Sequence, residues 1–203
     1  MSTRRPLVAV VGDAVAASDS EKARLAARMG ELLVEGGYRV LTGGLGGVME
    51  AASRGARAAK GYRPGDTVGV LPGFDPGDAN PYVDVVLPTG LDHARNALVG
   101  AADAVVAIGG GAGTLSELAH AWMLKRLILA FRVEGWSGRL ADTRIDHRIR
   151  QPDVPEDRVF GVDAPEEALA LLASLLPRYV ARHTGVRRRR AGNDGATSTE
   201  GEG

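Results

Sequence analysis

Two spacings of apolar residues alternate along this chain. Short apolar runs, which are typical of strands buried on both faces of a sheet, lie at residues 7–11, 38–42, 67–71, 83–87, 104–108, 127–131 and 158–162. Apolar residues one helical turn apart occupy the segments 20–35, 48–60, 91–101, 114–124 and 165–176. Strands that alternate with helices in this way predict an α/β fold, a doubly wound and mostly parallel sheet with helices on both faces.

The ends of this pattern set the expected domain. The helix at residues 165–176 is the last apolar element, so we predict a single domain over residues 1–182. Between residues 132 and 157 no clear period indicates an element. Residues 183–203 contain few apolar side chains and include the run Arg187–Arg190, a composition that predicts a disordered, arginine-rich polar tail.

Composition and charge exclude several classes of function. The 203 residues carry a formal net charge of zero, which disfavours nucleic acid as a partner, and no run of about 18 apolar residues predicts a membrane span. The first residues lead directly into a strand instead of a signal-peptide core, so we expect a cytoplasmic protein. The chain has no cysteine and its four histidines lack metal-ligand spacing, so we expect no metal site.

Glycine-rich turns follow three of the predicted strands. The first strand ends at Gly12 and Asp13, the second runs into residues 42–49, and the fifth into residues 109–117. Because ligands of doubly wound folds bind beyond the carboxyl ends of the strands, we expect the three turns to form one site. Free amides at a helix start attract anions, so the last turn predicts a phosphate-binding loop. The candidate ligand-binding residues are Gly12, Asp13, Gly43, Gly44, Gly47, Met49, Gly109, Gly110, Gly111, Gly113 and Thr114.

The motifs in these turns resemble those of the SLOG superfamily. Residues 42–49 match Thr-Gly-Gly-x-x-Gly-Val-Met, and residues 109–117 read Gly-Gly-Gly-x-Gly-Thr-x-x-Glu. The resemblance covers residues 7–131 and implies a modified Rossmann fold. The best-known branch, the Lonely Guy (LOG) phosphoribohydrolases, consists mostly of homodimers that cleave the N-glycosidic bond of adenosine-type 5′-monophosphates. By position, the resemblance implies Arg95 and Glu117 as the catalytic pair, with the phosphate held by residues 110–114.

This chain departs from the hydrolase motif at four positions. Gly109 stands where the family has proline, and Asn96 stands where a lysine follows the arginine. Glu50 replaces a residue that is usually small, and Asp13 replaces a serine. These differences make the chain look closer to a side branch of bacterial SLOG proteins, one that also resembles a molybdenum-cofactor carrier.

Glu117 and Arg95 each have an ordinary structural interpretation as well. Thr114 and Glu117 are spaced as a capping box, in which both side chains satisfy backbone N–H groups at a helix start. In the catalytic interpretation, the Glu117 carboxylate stabilises the positive charge that develops as a base leaves ribose. Arg95 fits either an exposed helix residue paired with Asp92 or a guanidinium that binds phosphate or holds Glu117.

Three other side chains have two interpretations. Asp13 fits both a turn residue and an acceptor for a ribose hydroxyl. Met49 fits a packing residue better than a contact to a base. Trp122, which follows the second motif at helical spacing, is predicted to lie in the core or a subunit interface instead of stacking on a base.

Two functional hypotheses follow. The first is a hydrolase without metal or organic cofactor that releases free base and ribose 5-phosphate from AMP or N6-substituted AMP. The second is a non-catalytic binder, sensor or carrier of a phosphorylated ligand, either a nucleotide or the molybdenum cofactor. The lysine decarboxylase label once given to the family is excluded, because pyridoxal chemistry needs a Schiff-base lysine and Lys22, Lys60 and Lys125 all lie on or at the ends of predicted helices.

Overall fold

Seven parallel strands form one sheet in the computed structural model, which describes residues 4–181. The strands are β1 (Leu7–Gly12), β2 (Arg39–Thr42), β3 (Thr67–Leu71), β4 (Val85–Pro88), β5 (Ala104–Ile108), β6 (Leu127–Phe131) and β7 (Val159–Val162). Their order across the sheet is β4-β3-β2-β1-β5-β6-β7, and each neighbouring pair is parallel. The strand order reverses between β1 and β5, so the predicted doubly wound, Rossmann-like α/β fold is confirmed.

Helices cover both faces of this sheet. They are α1 (Glu21–Glu35), α2 (Val48–Ala58), α3 (Asn96–Gly100), α4 (Ala112–Met123), α5 (Trp136–Leu140) and α6 (Pro165–Leu175). One buried cluster joins α1, α2 and α6 to the sheet, and a second joins α3 and α4 to the opposite face. Within residues 4–181, no helix is both long and apolar enough to cross a bilayer.

Alternating strand residues fill the two clusters. In β1, Val8 and Val10 belong to the first cluster, whereas Ala9 and Val11 belong to the second. Because both faces of the strand are buried, the sequence shows an unbroken apolar run instead of an alternation with polar residues. Trp122 on α4 lies in the second cluster and is buried, so of the two predicted positions, the core or a subunit interface, it occupies the core.

Two segments differ from the sequence prediction. The helix expected over residues 91–101 is a 3₁₀ turn, Asp92–Arg95, followed by the short helix α3. Asp92 has a φ of 48°, a left-handed conformation that cannot belong to a regular α-helix. Helix α5 lies where no element was predicted, because its five residues are too few to show a period. The predicted tail, residues 183–203, lies outside the described residues, and the domain boundary at residue 182 stays a prediction.

Candidate functional site

The carboxyl ends of β1, β2 and β5 meet at a cavity of about 420 Å³. Gly12 pairs in register with Ile108, so the turns after β1 and β5 begin level with each other. The residues predicted from sequence that line this cavity are Gly12, Asp13, Met49, Arg95, Gly111, Gly113, Thr114 and Glu117. The volume lies within the range of about 300–1,000 Å³ that is typical of small-molecule sites.

The amino end of α4 opens towards this cavity. The first backbone hydrogen bond of the helix runs from Leu115 N to Gly111 O at 3.0 Å. The N–H groups of residues 112–114 therefore have no acceptor within the helix. A Cβ atom added at Gly111 or Gly113 would meet nothing within 4 Å. The free N–H groups and the positive end of the helix dipole can therefore be approached closely by an anion.

The preceding part of the turn packs against α5. Gly109 and Gly110 have φ angles of 69° and 95°, which favour glycine. The Gly109 N–H donates to Ser137 Oγ at 2.7 Å, and the Gly110 carbonyl accepts from Trp136 N at 2.9 Å. The Gly109 amide, which was predicted to bind the ligand, thus serves to fix the turn, and the open amides are those of residues 112–114.

Thr114 lies inside α4 instead of capping it. The N-cap residue of the helix is Gly111, which has no side chain and therefore cannot form a capping hydrogen bond. The Thr114 hydroxyl donates to the Gly12 carbonyl at 3.3 Å and so joins the turns after β1 and β5. The capping-box interpretation of Thr114 and Glu117 is therefore wrong, because the helix begins at Ala112, two residues earlier than predicted.

Arg95 directs a half-buried guanidinium at the cavity wall. Its Nη1 atom is buried and has no hydrogen-bond partner in the described part of the chain. A Cβ atom added at Gly43 would lie 2.6 Å from Arg95 Nη1 and 2.7 Å from Met49 Sδ, so Gly43 leaves the space that both side chains occupy. The interpretation of Arg95 as an exposed helix residue is wrong, because its side chain is half-buried in the cavity wall.

Glu117 is buried in the same cavity, with only 7% of the residue exposed. Burial raises the pKa of its carboxyl to about 7, and the positive charge of Arg95 opposes this shift only in part. Burial also lowers the pKa of Arg95, against the attraction of Glu117 and Asp92. Near neutral pH, Glu117 is therefore only about half ionised, and it compensates the charge of Arg95 incompletely.

Asp13 forms an ion pair with a lysine that was not predicted as a site residue. Lys22 Nζ lies 2.7 Å from Asp13 Oδ2, and a Cβ atom at Gly109 would lie 2.4 Å from the same oxygen. Asp13 also lines a second cavity of about 630 Å³, together with Lys22 and Arg132. The signal for Lys22 in the sequence is its place in the first turn of α1, which starts at the same edge of the sheet as the glycine turns.

Gly44 and Gly47 shape the turn after β2 and do not line the cavity. They have φ angles of 78° and 65°. The Gly44 carbonyl accepts a hydrogen bond from Asn80 Nδ2 at 3.1 Å, and a Cβ atom at Gly47 would lie 2.3 Å from the Asp13 carbonyl oxygen. Met49 is buried and also lines the cavity. Its side chain therefore packs in the interior and can contact a ligand at the same time.

Comparisons with known proteins give one matching family model and several similar solved structures. A family model described as the SLOG cluster4 family matches residues 5–169. An uncharacterized protein of Archaeoglobus fulgidus is 42% identical over 104 residues, which cover 51% of this chain and 66% of that protein. The chain thus spans about two thirds of the length of this curated relative.

Two of the similar solved structures are a binding protein and a carrier protein of the molybdenum cofactor. The molybdenum cofactor binding protein from Rippkaea orientalis has a TM-score of 0.69 and 31% identity, over 86% of this chain and 99% of that chain. The molybdenum cofactor carrier protein from Chlamydomonas reinhardtii has a TM-score of 0.67 and 28% identity, over the same shares of 86% and 99%.

Proposed function

The chain belongs to the SLOG cluster4 family, and from that premise we propose that it binds and carries a phosphorylated ligand without hydrolysing it. The ligand is a phosphate monoester joined to a heterocycle, either the molybdenum cofactor or a nucleoside monophosphate. Similar structures belong to a binding protein and a carrier protein of the molybdenum cofactor, which supports the first of these two ligands.

One observation carries the proposal, namely the buried Nη1 atom of Arg95, which has no partner in the described residues. Buried charged groups are almost always paired, because desolvation without a counter-charge costs several kcal/mol. Arg95 lines the same cavity as the open turn at Gly111 and Gly113. A phosphate monoester would pair with the guanidinium and accept from the free N–H groups of α4 at the same time.

The protonation of Glu117 fits a site for an anion. A fully ionised carboxylate in this cavity would repel a phosphate and neutralise Arg95. Because burial raises the pKa of Glu117 to about 7, much of that repulsion is removed near neutral pH. The positive charge of Arg95 is then left for the ligand.

Three features favour binding over hydrolysis. The φ of 69° at Gly109 is incompatible with the proline of the hydrolase motif, since proline fixes φ near −65°. The lysine of that motif is replaced by Asn96, so one cation is missing beside Arg95. A partly protonated Glu117 is also a weaker stabiliser of the positive charge that develops at the sugar.

A panel of ligands separates the two activities. We expect saturable binding of at least one phosphorylated compound among AMP, ribose 5-phosphate and molybdenum cofactor released from a purified molybdoenzyme. Adenosine, the matched control without the phosphate, should bind at least about tenfold more weakly than AMP, because it cannot pair with Arg95. Isothermal calorimetry measures the binding, and chromatography of the same mixtures measures free adenine.

Two outcomes of this panel would contradict the proposal. Release of adenine from AMP, abolished by Glu117→Gln, would establish the hydrolase. Equal affinity for adenosine and AMP would show that the site does not recognise the phosphate.

A further inference from the structure

Asn96 is a largely buried residue whose side-chain amide borders the cavity. Only 4% of the residue is exposed, and it lines the cavity next to Arg95. Within residues 4–181 its side chain forms no hydrogen bond. The other buried asparagine at this edge of the sheet, Asn80, donates to the carbonyls of Gly44 and Leu45 at 3.1 and 2.9 Å and accepts from Tyr82 N at 3.1 Å.

No structural role accounts for the Asn96 amide. Asparagine often caps a helix, but α3 begins at Asn96 itself and has no side-chain capping bond. An amide with little exposed surface and no protein partner costs free energy unless water or a ligand satisfies it. Asn96 thus resembles Arg95, since both side chains line one cavity and neither forms a hydrogen bond with the described residues.

The two residues differ in the ligand group that each can bind. Arg95 is the only arginine or lysine among the described residues that line this cavity, whereas Asp13, Asp92 and Glu117 contribute carboxyls. A second phosphate group bound beside Asn96 would therefore have no lysine or arginine of the cavity lining to pair with, since Arg95 already binds the first. A neutral amide offers both a donor and an acceptor, which match a hydroxyl or the N–H and C=O groups of a ring.

We propose that Asn96 is a specificity-determining residue that binds a neutral hydrogen-bonding group, a hydroxyl or a ring amide, adjoining the phosphate on Arg95. This inference rests on the proposed function of the same cavity. It makes the site selective for phosphate monoesters that carry such a group, over inorganic phosphate and over diphosphates.

The substitution Asn96→Leu tests the proposal, because leucine has the same number and branching of side-chain heavy atoms and none of them is polar. We expect affinity for AMP, ribose 5-phosphate or the molybdenum cofactor to fall about tenfold, while affinity for inorganic phosphate changes by less than about twofold. The melting temperature without ligand should stay equal or rise, since no internal hydrogen bond is lost. Asn96→Ala, which cannot overfill the site, should give the same pattern of affinities.

Asn80→Leu is the matched control for stability. It removes three internal hydrogen bonds, so its melting temperature should fall below that of wild type and of Asn96→Leu. A drop in the melting temperature of Asn96→Leu as large as that of Asn80→Leu would overturn the inference and give Asn96 a structural role.

Three results of the affinity measurements would also contradict the inference. Equal losses for inorganic phosphate and for the larger ligands would mean that Asn96 acts only through Arg95. Unchanged affinities for all four probes in both Asn96 variants would mean that Asn96 contacts none of them. If wild type itself bound none of the probes, the proposed function would fail, and the inference would fail with it.

Discussion

Replacing Arg95 with alanine should weaken the binding of a phosphate monoester about 100-fold, which corresponds to roughly 3 kcal/mol. The Arg95 side chain lines the cavity and its Nη1 atom has no partner among the described residues, so a bound phosphate would form a partly desolvated, charge-assisted contact with the guanidinium. The loss should appear for every phosphorylated member of the panel, because the phosphate is common to all of them. Isothermal calorimetry at fixed ionic strength measures it.

Arg39→Ala is the matched control for this substitution. Arg39 is exposed and begins β2 at the amino edge of the sheet, opposite the cavity. Its removal changes the net charge by the same amount, and it should change the affinity by less than about twofold because exposed charges are screened. Equal affinities of the Arg95 and Arg39 variants would show that Arg95 does not bind the phosphate.

Replacing Glu117 with glutamine should stabilise the fold by up to about 3 kcal/mol above pH 7. Burial raises the pKa of Glu117 from 4.5 to about 7 in the folded protein. The unfolded chain releases this proton near the lower value, so the free energy of unfolding of wild type falls as the pH rises from 4.5 to 7. The variant lacks the titrating group and escapes this loss. Urea unfolding of both proteins from pH 5 to pH 9 measures the difference.

The shape of the pH dependence distinguishes this effect from a general change in packing. The difference between Glu117→Gln and wild type should grow up to about pH 7 and then level off. Glu134→Gln removes an exposed glutamate near the second cavity, and its profile should run parallel to that of wild type. A difference between Glu117→Gln and wild type that is constant over the whole range would contradict the raised pKa.

The strands and the edge of the sheet that holds the site could be predicted because their signals are local. The runs at residues 67–71, 104–108 and 127–131 form β3, β5 and β6 with the predicted bounds. Buried parallel strands need apolar residues on both faces, so each leaves a short continuous apolar run that the flanking turn residues delimit. The glycine turns then follow from the strands, and the resemblance to the SLOG superfamily singles out Arg95 and Glu117, which do line one cavity.

The remaining features depend on contacts between segments far apart in the chain. The Gly109 amide is bound by Ser137, and the Thr114 hydroxyl by the Gly12 carbonyl, so the local spacing of Thr114 and Glu117 gave the wrong cap. The role of Asn96 depends on the absence of a hydrogen-bond partner for its side-chain amide among the described residues. No periodicity or motif contains that information.

A crystal structure with AMP bound tests the central claim most directly. We expect phosphate oxygens within hydrogen-bond distance, about 3 Å, of the Arg95 guanidinium and of the N–H groups of residues 112–114. A phosphate bound instead in the larger cavity beside Lys22 and Arg132, away from the Arg95 guanidinium, would contradict this claim.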